Sequence, residues 1–374
     1  MKKFFIWNSN IRSLIIKISG RMFFRRILMV NTIKINRRNL TLKKSYNEPN
    51  FKGKSVLVSD PWEYVELWLK RNNNSNDALF YWLQAKQFYE ATLSLPLTSA
   101  PLTSYYCFLN ATKALLLIRG VNFSDQHGVS GYQKKSKLSL SNEMIILKSG
   151  GILPALCQCL DDSIPSGKSK VEYTLKDLLR NLVYIHRTYC LTYTSEANKE
   201  LFIPLDDVFF VKKDKSSECW FSAEIDEKYA TVHTLNKIDD SFEKDINFDD
   251  RFIVRFKDRS RWKSNQTVTT TKFINYHKKV RRNVQYIAGT SSRWYIKRTN
   301  IKECIPLSSL SITFAAMHRL SELSRYEPIT LSKHLSSQQN WLLSEFIKSA
   351  PYQFIHEIAS EITGEEFLVP RRGI

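Results

Sequence analysis

The feature that most limits how this chain can fold is a change in hydrophobic periodicity along it. From about residue 60 to 200 apolar side chains recur at helical spacing. From Leu201 to about Cys304 they alternate, and after Pro306 the helical spacing returns. Blocks of helix, strand and helix, unlike a regular βαβ alternation, predict an α+β fold. The expected organisation is a basic N-terminal extension (1–45), a mainly helical domain (46–200), an inserted strand-rich basic domain (201–303), and C-terminal helices (304–374) that pack back on the first domain.

Start and stop signals sharpen the helical blocks. Asp60-Pro61-Trp62-Glu63 predicts a capped helix with Trp62, Val65 and Leu69 as its apolar stripe, broken by the Asn-rich run Asn72–Asn76. A second helix is expected from Asp77 to Leu93, and a third, apolar enough to be central, from Thr103 to Ile118 before Gly120. Residues 121–151 read as a long loop. Thr174-Leu175-Lys176-Asp177 opens a further helix that continues through Ile185 and Tyr189. Beyond Pro306, Leu310, Phe314, Met317 and Leu320 make one stripe and Leu331 to Ile347 another, while Pro351 opens a last helix that ends at Gly364. The alternating block predicts strands at Val208–Lys212, Cys219–Ile225, Tyr229–Thr234, Phe252–Phe256, Thr267–Phe273 and Trp294–Lys297.

At 374 residues, 43% hydrophobic and 13% aromatic, the chain can bury one large core or two moderate ones. Its six cysteines show no CxxC pair and no secreted-framework spacing, which fits free thiols in a reducing cytoplasm. Asn110 and Lys113 interrupt the most apolar helix, so no integral membrane segment is expected.

The net charge of +20 is regional. Residues 1–45 contribute +12 and residues 251–302 contribute +14, leaving the remainder slightly acidic. The first 45 residues allow four readings: a misassigned start with Met22 or Met29 as later alternatives, a nucleic-acid arm, a membrane-surface helix, or a transit peptide. In the second segment Arg255, Lys257, Arg259, Arg261, Lys263, Lys278, Lys279, Arg281, Arg282, Arg293, Lys297 and Arg298 alternate with aromatics that include Trp262 and Trp294. Cations neutralise phosphates and flat rings stack on unpaired bases, so this composition suits a nucleic acid, RNA more than DNA. The competing reading is a solvated basic sheet face whose aromatics sit in the core.

Several familiar motifs fail. Gly167-Lys168-Ser169 lacks the first glycine of a P-loop, since Asp162 stands there. His356-Glu357-Ile358-Ala359-Ser360 has Ser360 where a zinc helix needs its second His. Cys157-Gln158-Cys159 has no clustered ligands. No metal or cofactor is expected.

One motif survives. Arg180-Asn181-Leu182-Val183-Tyr184-Ile185-His186 resembles the R-x(4–6)-H signature of HEPN ribonucleases. The resemblance implies a helical dimer interface, and so a homodimer, where Arg180, Asn181 and His186 act on the RNA 2′-hydroxyl and the scissile phosphate without a metal. His can exchange a proton near neutral pH and Arg can stabilise developing phosphate charge. On one ideal helix, however, six residues leave the two side chains about 120° apart. The alternative is a structural Arg and a packing His.

A wider resemblance covers residues 60 to 370. Trp82, Phe88-Tyr89, the run from Pro101 to Ala114, His127-Gly128, the run from Leu320 to Pro328, the run from Trp341 to Ile347 and the run from Glu357 to Gly364 together are similar to bacterial YaaC-like proteins. That resemblance implies a bacterial cytoplasmic protein carried among mobile or defence genes, and supplies no catalytic residues. The leading expectation is a nucleic-acid-associated protein, with HEPN-like endoribonuclease chemistry in phage defence as its sharpest form. The rival is a non-catalytic scaffold acting on a protein partner through helical contacts, with Glu322 and Arg325 in a structural ion network.

Overall fold

A computed structural model describes residues 4–8, 11–18, 21–27, 29–72, 75–162, 171–248, 250–263 and 271–370, with backbone alone for 4–27 and 197–199. The fold is α+β, as the periodicity predicts. β1 (Phe4–Asn8), β2 (Ile11–Ile18) and β3 (Arg21–Ile27) form an antiparallel sheet. β4 (Val30–Thr32) is followed by the hairpin β5 (Lys34–Ile35) and β6 (Arg38–Asn39), whose two turn residues Asn36 and Arg37 both take positive φ, as a tight hairpin turn requires. Ile33, Leu40 and Leu42 are buried, so part of the basic N-terminal stretch is built into the core.

After β7 (Val56–Leu57), α1 (Trp62–Arg71) starts where Asp60 accepts the Trp62 N–H at 3.1 Å, with Trp62, Val65 and Leu69 buried as expected. α2 (Asn76–Leu93) is capped by Ser75, and α3 (Ala100–Ile118) is buried along most of its length. The segment 121–151 is not the loop that its polar residues predict. It holds β8 (Val129–Gln133) and β9 (Glu143–Leu147), which pair with each other antiparallel, and β9 pairs in turn with β10 (Val171–Thr174). β9 is covered on both faces, so its Met144–Leu147 run shows no alternation to betray a strand. α4 (Ile152–Cys159) lies between β9 and β10. Gly167-Lys168-Ser169 falls outside the described residues.

α5 (Leu175–Arg180) begins as expected, with Thr174 accepting the Asp177 N–H at 3.1 Å, but a 3₁₀ turn at Val183–Ile185 separates it from α6 (His186–Thr192). The single helix predicted through Tyr189 is therefore two short ones. β11 (Phe202–Lys213) and β12 (Glu218–Ile225) make a long hairpin. α7 (Val232–Leu235) occupies part of a predicted strand, because Thr231 caps it by accepting the Thr234 N–H. β13 (Phe242–Lys244), β14 (Ile253–Phe256) and β15 (Ser260–Arg261) follow. α8 (Thr271–Asn283) replaces the end of the strand predicted at Thr267–Phe273, whose first residues lie outside the described ones. Phe273, Tyr276, His277 and Val280, buried at spacings of three and four, explain the helix.

β16 (Val284–Ile287) and β17 (Arg293–Lys297) complete an antiparallel sheet in the order β13-β14-β12-β11-β17-β16. β11 pairs with β17 through its first half and with β4 through its end. α9 (Ser309–Tyr326), α10 (Pro328–Leu335) and α11 (Asn340–Thr363) then pack back on the first helices: Phe354 of α11 stacks on Phe108 of α3, with ring centroids 4.1 Å apart. Pro351 lies inside α11 and does not open a new helix, and Gly364 ends it at φ 76°. β18 (Phe367–Leu368) returns to pair parallel with β7.

One apolar core gathers the helices and another gathers the large sheet with α8. α11 joins them. Gln353 accepts the Ala288 N–H at 2.9 Å and donates to the Tyr286 carbonyl at 3.1 Å. Among the described residues no helix is long and apolar enough to cross a membrane, and the six cysteines are free thiols.

Candidate functional site

The HEPN-like segment is an internal joint. Asn181 ends α5 and is fully buried; its amide donates to the Glu303 carbonyl at 2.9 Å and accepts the Ile305 N–H at 2.9 Å. Arg180, 4% exposed, reaches Glu196 at 3.2 Å and Glu303 at 3.9 Å. His186, also 4% exposed, accepts the Leu201 N–H on Nε2 at 3.2 Å and sets Nδ1 3.3 Å from the Arg180 carbonyl oxygen. Burial holds this imidazole down at about 4. The helix break brings His186 to the Arg180 main chain and not to its guanidinium.

The basic segment is divided among several tasks. Arg255 pairs with Glu243 at 2.7 Å, Arg259 with Glu218 at 3.5 Å, Lys279 with Asp258 at 2.8 Å, and Lys278 and Arg282 both approach Asp161. Arg298 donates to the Lys237 and Glu200 carbonyls. Trp262 and Trp294, expected to stack on bases, are buried in the sheet core, which is why the segment alternates as it does. Lys257, Arg261, Lys263 and Arg293 remain exposed. Arg259, Arg261, Lys272 and Lys279 line an open groove of about 810 Å³ that also contains Glu218 and Asp258.

Three of the predicted residues, Arg281, Arg282 and Lys297, converge elsewhere. They line a cleft of about 500 Å³ at the seam between the two cores, walled by the end of α8, β16, the end of β17, the start of α9 and one face of α11. Arg282 and Asp161 stand half-exposed at its rim, with Arg282 donating to the Tyr46 hydroxyl at 3.1 Å. Inside, Arg281 packs against both the Tyr286 and Trp294 rings, 5.3 Å from each, and donates to the Lys44 and Val284 carbonyls; its Nε has no partner. Lys297 is 2% exposed and donates to the Ile305 carbonyl at 2.7 Å, and burial lowers its affinity for a proton. Gln285, 7% exposed, leaves its side-chain oxygen without a partner.

The acids of the cleft were not singled out from sequence. Glu357 and Glu361 lie one turn apart on α11, so both face the seam. Glu361 is fixed by the Tyr46 and Asn47 N–H groups at 2.5 and 3.2 Å. Glu357 accepts from Gln353 at 2.6 Å, and burial pushes it up to about 7 despite Gln353 and Arg281. Asp162 holds the α9 N-terminus, accepting the Ser308 N–H and hydroxyl at 2.8 Å each and the Ser311 hydroxyl at 2.6 Å; burial raises its pKa too. The available signal was the Glu357-x-x-x-Glu361 spacing on a helix whose neighbouring positions, Phe354, Ile358 and Ile362, are apolar. Buried acids, a buried lysine and unsatisfied polar atoms around one cavity give a site able to bind a polar molecule and to exchange a proton near neutrality.

A family model described as YaaC-like Protein matches residues 39–362. No curated protein and no solved structure matches the chain.

Proposed function

We propose, for a chain that belongs to the YaaC-like protein family, that the cleft between the two cores holds a small polar ligand carrying an anionic group. The observation that carries this reading is that Gln285 Oε1 and Arg281 Nε are buried without partners on the wall of a 500 Å³ cavity. Each such atom costs about 1–3 kcal/mol, which a ligand supplying the missing bond offsets. The cavity lies within the roughly 300–1,000 Å³ range of small-molecule sites. Arg281 and Lys297 favour an anionic group, Gln285 Oε1 and Asp162 favour hydrogen-bond donors, and Glu357 can give or take a proton.

Thermal unfolding of the full chain against carboxylates, amino acids, sugar phosphates and nucleotides tests the reading. One class should raise the melting temperature, since a ligand at about 100 times its dissociation constant contributes about 2.7 kcal/mol. Gln285→Leu should abolish that rise without lowering the stability of the free protein. A chain that no class stabilises, together with a Gln285→Leu variant more stable than wild type, would overturn it.

A second reading retains the nucleic-acid association suggested by the basic segment, because Arg259, Arg261, Lys272 and Lys279 share one open groove. Anisotropy with labelled single-stranded RNA should then show affinity that falls steeply with salt. No binding at low salt removes this reading. A HEPN-like endoribonuclease in phage defence finds less support: Arg180, Asn181 and His186 are already committed to internal bonds, and cleavage would have to expose them.

A further inference from the structure

Three segments that carry the family resemblance, within Pro101–Ala114, at His127-Gly128 and within Leu320–Pro328, meet at a second place whose side chains do not line the cleft. Tyr105 of α3 sets its hydroxyl 2.6 Å from Nδ1 of His127. Among the described residues the phenol has no other hydrogen-bond partner, so its proton points to that ring nitrogen and neutral His127 carries its own hydrogen on Nε2. The loop bearing His127 is fixed by α4: the Ile152 N–H donates to the Gln126 carbonyl at 2.9 Å and the Leu153 N–H to the His127 carbonyl at 3.1 Å. A Cβ at Gly151, where φ is 119°, would meet Gly128 N at 2.6 Å, so glycine allows this close approach.

His318 of α9 stands edge-on to Tyr105, with centroids 4.9 Å apart, and 5.5 Å from His127. Its Nδ1 is sealed without a hydrogen bond, 3.7 Å from Glu322. The Nε2 atoms of both imidazoles lack hydrogen bonds among the described residues, yet neither is among the sealed unpaired atoms, so both keep contact with solvent. Burial, and then the charges of Arg325, Lys113 and Lys148, hold His127 below the usual imidazole range.

The local carboxylates are already engaged. Glu322 accepts from Gly131 N–H and Arg319, each at 3.1 Å, and Asp125 pairs with Lys113 at 2.8 Å. Lys148 and Arg325 are exposed and form no ion pair among the described residues. The Lys148 N–H donates to the Gly128 carbonyl at 3.0 Å, next to the His127 loop, and Arg325 lies about two turns past His318 on α9. A donor imidazole edge and two cations without ion pairs are the chemistry that a phosphate oxyanion requires. We propose that the Nε2–H of His127, together with Lys148 and Arg325, holds the phosphate group of a phosphorylated ligand.

The full chain labelled with ¹³C in its histidines, titrated with inorganic phosphate and followed by NMR across pH, tests this directly. The His127 signal is assigned by its loss in His127→Gln, and independently by its displacement in Tyr105→Phe, which removes only the hydroxyl. Phosphate at about 10 mM, enough for a millimolar site, should raise the His127 midpoint by about one unit, as an adjacent anion does. The rise should vanish in Lys148→Ala/Arg325→Ala, whose substitutions are at the surface. A sugar phosphate acting at lower concentration than inorganic phosphate identifies an ester ligand, and equal potency identifies free phosphate; either supports the site. An unmoved His127 signal in wild type, or a rise undiminished in the double variant, overturns it.

Discussion

Arg319 directs Nε and Nη2 to the same oxygen of Glu143, at 3.1 and 2.7 Å, while His334 meets the other oxygen at 3.0 Å. The three side chains are almost sealed and tie α9 to β9 and α10. Burial alone would push the Glu143 carboxyl up, but the bonds from His334 and Arg319 outweigh it and keep it below the usual range. Removing one partner leaves an uncompensated buried charge. Arg319→Met should therefore cost about 3–5 kcal/mol, and Glu143→Gln added to it should recover part of the loss. Urea unfolding of both variants measures the difference.

His186→Ala should weaken the fold and leave ligand or RNA binding intact. It strands the buried Leu201 N–H and opens space beside Phe202, whose ring lies 4.9 Å from the imidazole. The expected loss is about 1–3 kcal/mol in denaturant unfolding. A variant of unchanged stability but altered RNA handling would reverse this assignment.

Stability should fall in acid, beginning near pH 6.5. Burial depresses His186 to about 4 and His318 and His356 to about 3. Each depressed imidazole contributes stability present above its unfolded pKa of about 6.5, and that contribution is lost as pH falls toward the folded value, because the unfolded chain then binds more protons. Glu357 runs the other way. Raised to about 7, it contributes stability present below its unfolded value and lost as pH rises through 7. The net expectation is a decline from pH 6 to pH 4, and Glu357→Gln should flatten the profile around pH 7. Thermal midpoints across pH check both.

Gln353→Ala should loosen α11 from β16. The amide satisfies the Ala288 N–H and the Tyr286 carbonyl and also steadies Glu357. A loss of about 2 kcal/mol or more is expected from the orphaned main-chain groups. Hydrogen exchange at Ala288 should quicken in the same variant.

Helices with clear punctuation were legible from sequence. Asp60 before α1, Thr174 before α5 and Gly364 after α11 act where local chemistry says they should. Tertiary context overrode the rest. Pro351 sits mid-helix because the surrounding α11 residues, among them Ile347, Ala350 and Phe354, are buried, which offsets the lost backbone bond. β9 hides its alternation between two covered faces. α8 overlaps the strand expected at Thr267–Phe273, and its helical register shows only once Phe273, Tyr276, His277 and Val280 are seen to be buried. The ion network was expected around Glu322 and Arg325, but its centre is Arg319, and Arg325 lies over the Tyr326 ring. The cleft was only partly visible: Arg281, Arg282 and Lys297 stood out as charges, whereas Glu357, Glu361 and Gln285 acquire meaning only once α11 is laid beside β16.

Because α11 is at once part of the helical core and the strut that props the sheet, the two halves share a structural member. Melting either half strips that helix of one flank, so calorimetry should register a single endotherm, and the crevice that it borders is a fixed seam and not a hinge.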